Sequence, residues 1–195
     1  MSLLLASFLP FASLALPEPS VGMFRSLGTG ASDRGVVQAE LFIDPEGVVV
    51  ACTIVLPELS REAGAARCAR VIGKGGGEPA IGPDGKATYG TTFVTRMERG
   101  RALPDREVPA DVQVALPEMP EGRDTVRVEL IVNIAADGEI THCSNGQKGQ
   151  EEIGAFACRY AQSQRLIIKN GADGEPVSYV TWFSVEFVRL PAAAN

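Results

Sequence analysis

Four cysteines and a single histidine are among the rarest of the residues in this chain that could hold a metal, attack an electrophile or close a covalent loop. They fall as Cys52 and Cys68, then Cys143 and Cys158, with His142 beside the third. Zinc sites draw on close pairs such as C-x₂-C, whose short loop pre-arranges two tetrahedral ligands, and neither pair here has that spacing. A thiolate nucleophile needs a base within reach. His142 directly precedes Cys143, and adjacent side chains on a strand point to opposite faces, so the two are poorly placed for proton transfer and His142 reads as a surface strand residue. A disulfide inside each pair accounts at once for the spacing, its duplication and an export-type amino end. Cys52–Cys68 and Cys143–Cys158 are the expected bridges, and no catalytic residue, metal or cofactor is assigned.

The elements that must position these cysteines occur twice. Laying Gly47 on Gly138 brings Val37, Ala39, Leu41 and Ile43 onto Val128, Leu130, Val132 and Ile134 without a gap. Both runs alternate with period two, as half-buried strands do, and each is followed by a tight-turn sequence, Asp44-Pro45-Glu46-Gly47 or Ala135-Ala136-Asp137-Gly138. A second strand then carries Cys52 or Cys143. A helix follows in both copies. In the second, Ile153, Phe156, Ala157, Tyr160 and Ala161 mark its apolar stripe. In the first, Ser60 is the expected cap of a body from Arg61 to Ile72, ended by Gly73. A second turn, Pro83-Asp84-Gly85 or Ala172-Asp173-Gly174, precedes a final strand, Ala87 to Met97 or Val177 to Arg189.

The sequence therefore predicts an α+β chain of two tandem β-β-α-β units, each a helix on a three-stranded antiparallel sheet. The boundaries are a signal-like leader over 1–16, a first unit over 24–99, a Pro-rich linker over 100–123 and a second unit over 124–191. The linker is expected to lend a short strand, Val112 to Leu116, to the second unit. Units this small gain much from a covalent staple. The reading presumes that each copy closes on itself under its own disulfide, and one sheet running through both halves, or four sulfurs around one ion, would overturn it.

The leader, apolar from Leu3 to Leu16, is too short to span a bilayer and ends in Ser13-Leu14-Ala15, which fits the cleavage pattern of an export signal; an uncleaved anchor and an ordinary buried segment are the alternatives. A formal charge of −6 and the lack of a basic run argue against a nucleic-acid surface. The stretch Gly73 to Lys86 is rich in glycine but does not satisfy the phosphate-loop pattern, and reads as a helix-to-strand loop. On the last strand Trp182 faces away from Phe183 and Phe187, so core packing plus one exposed aromatic is the expectation.

In order and residue type, the repeated motif resembles the C-terminal domain of TonB energy transducers, in particular its cysteine-bearing exported versions. The matching residues are Asp44 to Gly47, Cys52, Cys68, Pro79-Ala80 and Asp84-Gly85-Lys86, then Asp137-Gly138, Cys143, Cys158 and Asp173-Gly174-Glu175-Pro176. The resemblance spans residues 36–97 and 126–189. It implies a periplasmic, non-enzymatic protein whose free sheet edge captures an extended segment of an outer-membrane receptor or another envelope protein, in relation to TonB-dependent transport. An edge strand offers the unpaired N–H and C=O groups such capture needs. The candidate edges carry Tyr89, Phe93 and Thr95 in the first copy and Tyr179, Trp182 and Phe183 in the second. The family's Tyr-Pro element before the first strand has no match before Val36 or Val126, so no ligand-binding residue is carried over. The alternatives are a self-assembling envelope module, dimeric through the same edges, and a thiol or zinc enzyme, which requires free thiols.

Overall fold

The computed structural model describes residues 13–20, 23, 36–55, 61–97, 110–119, 122–145 and 151–190. In chain order these form β1 (Val36–Ile43), β2 (Val49–Ile54), α1 (Arg61–Val71), β3 (Ala80–Ile81), β4 (Ala87–Met97), β5 (Val112–Leu116), β6 (Thr125–Ile134), β7 (Ile140–Asn145), α2 (Glu151–Ala161), β8 (Lys169–Asn170), β9 (Pro176–Val177) and β10 (Tyr179–Arg189). The class is α+β: a large mixed sheet with two full helices among the described residues. Ser60, expected to cap α1, lies outside the described residues.

Each half opens with a hairpin of the same construction. Leu41 stands opposite Cys52 and Ile43 opposite Val49; Val132 stands opposite Cys143 and Ile134 opposite Ile140. The register shifts at Phe42/Ile43 and at Asn133/Ile134, so even the bulge recurs. Both turns are closed by a glycine with positive φ, 77° at Gly47 and 86° at Gly138. A later loop crosses above each, the Gly77 amide donating to the Gly47 carbonyl and the Leu166 amide to the Gly138 carbonyl. A Cβ at Gly47 would collide with the Gly77 carbonyl oxygen, and one at Gly138 would stand 2.6 Å from the Leu166 carbonyl oxygen. Glycine is required there by backbone conformation and by the close approach together.

The expectation of two separate three-stranded sheets is corrected. The principal strand order is β2-β1-β4-β10-β6-β7, one sheet through both halves, with β4 and β10 joined in parallel at Tyr89/Tyr179 and Val180/Gly90. The interunit segment does contribute Val112–Leu116, which runs parallel to β10 from Val112/Val185 to Leu116/Arg189.

The register also fixes which face each helix covers. Cys52 lies beside Leu41 and is bonded to Cys68 of α1, so α1 covers the Leu41 face of β1. Cys143 lies beside Val132, whose other neighbour is Thr181, and is bonded to Cys158 of α2; Tyr179, two residues from Thr181, shares that face. Tyr179 neighbours Tyr89 across the junction, and Tyr89 stacks on Phe42, which points away from the Leu41 face. The two helices therefore sit on opposite faces of one sheet.

Two cores follow. Ala39, Leu41, Ile43, Val49, Val71 and Val94, with Met23, fill the α1 side, and the larger α2 side includes Val128, Leu130, Val132, Ile134, Phe183 and Phe187. Of the stripe expected on α2, Ala157 and Ala161 are buried and Ile153 packs on the core, but Gly154 takes the sheet side in place of Phe156, which is exposed and lies against Phe187. Small residues win the sheet-facing positions because the disulfide draws the helix close, with Gly154 against Asn145. Residues 14–16 of the expected leader, and Glu18 just beyond it, are docked. Ala15 bridges Ile81, Glu18 bridges Glu78, and Leu14 and Leu16 pack with Ala80, Val180 and Ile131.

Candidate functional site

The seam where β4 meets β10 brings together the residues that the sequence marks as edge positions. Tyr89 and Tyr179 are direct neighbours there, and the hydroxyls of Thr91 and Thr181 touch one step further along. Tyr89 and Tyr179 are therefore paired to each other, which corrects the edge expectation for these two. One flank of β10 is paired to β6 from Tyr179 to Val188; the other meets β4 at Tyr179 and Val180 and β5 from Val185 to Arg189, and between them the stretch Thr181 to Ser184, which carries Trp182 and Phe183, has no strand partner on that flank among the described residues. β4 differs. Its first flank is paired to β1 from Gly90 to Met97, while its pairing with β10 ends at Gly90. From Thr91 to Met97 the second flank of β4 has no strand partner among the described residues, and Phe93 and Thr95 lie on this stretch.

The α2 side of the seam is closed by an aromatic and ionic cluster. Phe42 stacks on Tyr89 at 5.3 Å and meets Tyr179 edge-on at 5.8 Å. The Lys169 ammonium, on β8, lies 5.3 Å from the Phe42 ring centre, 5.8 Å from that of Tyr179 and 2.6 Å from the Glu40 carboxylate. The Tyr179 hydroxyl donates to the Ile167 carbonyl at 2.6 Å. Burial first, and the Glu40 negative charge second, push that hydroxyl from 10.0 up to about 12. The cluster ties β1 to a loop 129 positions away, so it couples the two halves. No local pattern announces such a pairing in the sequence.

The flank of β10 beyond the seam is held by β5 and its leading residue. The Asp111 carboxylate accepts the Ser184 amide at 2.7 Å and the Ser184 hydroxyl at 2.8 Å, and the Asp111 amide donates to the same hydroxyl oxygen at 3.0 Å. Gln113 donates to Glu186 at 2.7 Å. Val112, Val114 and Leu116 pack against the larger core. Alternation in Val112, Val114 and Leu116 announces the strand; the Asp111–Ser184 clasp has no sequence signal.

The cysteines pair as Cys52–Cys68 and Cys143–Cys158, with Cα atoms 5.3 Å and 5.6 Å apart. None of the four is free, so the thiol and zinc reading loses the free thiols it requires. His142 is exposed, on the face of β7 opposite Cys143. Among the described residues no group of three His, Cys, Asp or Glu side chains is placed to hold a metal, and no helix is long and apolar enough to cross a membrane. Disulfides persist in oxidising compartments, which accords with an exported chain. Trp182 is 40% exposed while Phe183 and Phe187 are buried.

No family model, curated protein or solved structure matches the chain. The resemblance to the TonB C-terminal domain therefore rests on the repeated residues and strand order alone.

Proposed function

We propose that this is a non-enzymatic envelope protein of the periplasm that binds an extended peptide by strand addition, each half being one β-β-α-β copy of a TonB-C-like unit. The observation that carries the proposal is the flank of β4 from Thr91 to Met97, which continues past the seam without a strand partner among the described residues. Backbone groups on such a flank are satisfied by water or by an added strand, and the added strand brings side-chain contacts as well. Phe93, 45% exposed, supplies an apolar contact on one face of that flank. Two disulfides suit a chain that works outside the cytoplasm. The partner is an extended segment of an outer-membrane receptor or another envelope protein, in relation to TonB-dependent transport.

The test is a titration of isotopically labelled protein with extended peptides from outer-membrane receptors. The expected result is amide shift changes and slowed exchange along Thr91 to Met97, at one peptide per chain. Silence of these amides across the peptide set would refute the proposal. Concentration-dependent protection of the same amides without peptide, with a dimer in sedimentation, would instead assign the flank to self-assembly.

A further inference from the structure

The segment that fills the other side of the seam has the construction of a bound ligand. β5 is an extended stretch lying in parallel on β10, with β10 as its only strand partner among the described residues. Its contacts divide as those of a captured peptide do. Backbone ladder bonds run along its length, Val112, Val114 and Leu116 enter the core side by side, and Asp111 caps the leading end. The cap is directional, because the carboxylate takes both the amide and the hydroxyl of Ser184, a residue that is 4% exposed. At the far end the Leu190 amide donates to the Leu116 carbonyl at 2.9 Å.

We infer that the flank of β10 from Ser184 to Arg189 is a second strand-recognition site, occupied in cis by Asp111–Leu116, and that its ligand is an extended peptide in parallel orientation. The peptide carries a carboxylate at the first position and apolar side chains at the second, fourth and sixth. This rests on the strand-addition chemistry proposed above but concerns a different strand. β5 occupies the site at high effective concentration, so a peptide in trans is excluded from the intact protein and admitted when the internal strand is weakened.

The experiment uses the full chain in three forms, unaltered, Val114→Pro and the double variant Val112→Thr with Val114→Thr, with a capped synthetic peptide of residues 110–116 as probe. Proline at the centre of β5 disables the internal strand, while the paired threonines remove two of its apolar anchors and leave its backbone able to form a strand, so that form remains informative if the proline variant fails to fold. The expected result is that the probe shifts the amides of Ser184 to Arg189 in a folded variant but not in the unaltered protein. A probe with alanine in place of its aspartate should bind about tenfold more weakly, since charge-assisted bonds to Ser184 are lost. Failure of the probe to bind a folded variant, or equal binding of the two probes, overturns the inference. The β4 amides from Thr91 to Met97 report the separate site, so either proposal can fail alone.

Discussion

Removing the disulfide of the first half should destabilise the second half, because the sheet passes through both. The perturbation is the double substitution Cys52→Ala and Cys68→Ala, and the reporter is Trp182, the only tryptophan, on β10. The bridge closes a loop with a sequence separation of 16, and a loop of that size contributes about 3 kcal/mol by restricting the unfolded chain. With a urea dependence of about 2 kcal/mol per molar for a domain of this order, the midpoint should fall by roughly 1.5 M. If the halves unfold as one unit, Trp182 fluorescence reports that fall in full and coincides with far-ultraviolet circular dichroism. The physical links are the Tyr89/Tyr179 pairing, the Phe42 ring between them and the Glu40–Lys169 ion pair. A Trp182 midpoint that stays in place while a separate, earlier transition appears in circular dichroism would refute the coupling and restore two independent units.

Two further outcomes follow from local geometry. Raising Tyr179 from 10.0 to about 12 means that the fold holds the phenol proton more tightly than the unfolded chain does, so stability is complete below pH 10 and is lost between pH 10 and 12. The shift is worth on the order of 1 to 2 kcal/mol after screening beside the partly exposed Glu40 and Lys169; urea midpoints across that range should fall less steeply in Tyr179→Phe. Gly47→Ala and Gly138→Ala should each cost at least about 1 kcal/mol by thermal or chemical melting, since both sites combine positive φ with an overlying carbonyl; an unchanged melting point would show that the crossing loop yields freely.

Much of each half was legible because its determinants are local. Alternation in Ala39, Leu41 and Ile43, and in Leu130, Val132 and Ile134, reports one buried face directly, and the turn glycines fix where each hairpin reverses. The disulfides were legible because the duplication places one cysteine on a strand and one on a helix at nearly the same separation twice, 16 and 15. The helix stripe was half right: periodicity located α2, but the choice between Phe156 and Gly154 for the sheet side depends on how close the disulfide holds the helix. The joining of β4 to β10 was not legible at all. Last strands that could each accept a partner look the same in sequence whether that partner is a foreign peptide or the other half of the chain. Leu14 and Leu16 carried the opposite ambiguity, since an apolar run near an amino end reads as export signal whether or not its last residues pack on β3.

The continuous sheet removes the premise that each copy stands alone, and it changes what strand addition would require. Two free-standing copies would offer two equivalent last strands and two binding sites. In the joined sheet the strands meet at Tyr89 and Tyr179, and parallel neighbours related in this way must present opposite helix-bearing faces, as α1 and α2 do. Each half then covers part of the other's helix-free face: the β8–β9 hairpin lays Lys169 over Phe42, and Ala80 of β3 packs on Val180 with Leu14. The equivalence of the two last strands is broken beyond the seam, where β5 takes the flank of β10 and leaves that of β4. The proposed capture at β4 would thus depend on the asymmetric segment between the copies. Shifting β5 from β10 to β4 would exchange the two sites without altering either hairpin or either disulfide.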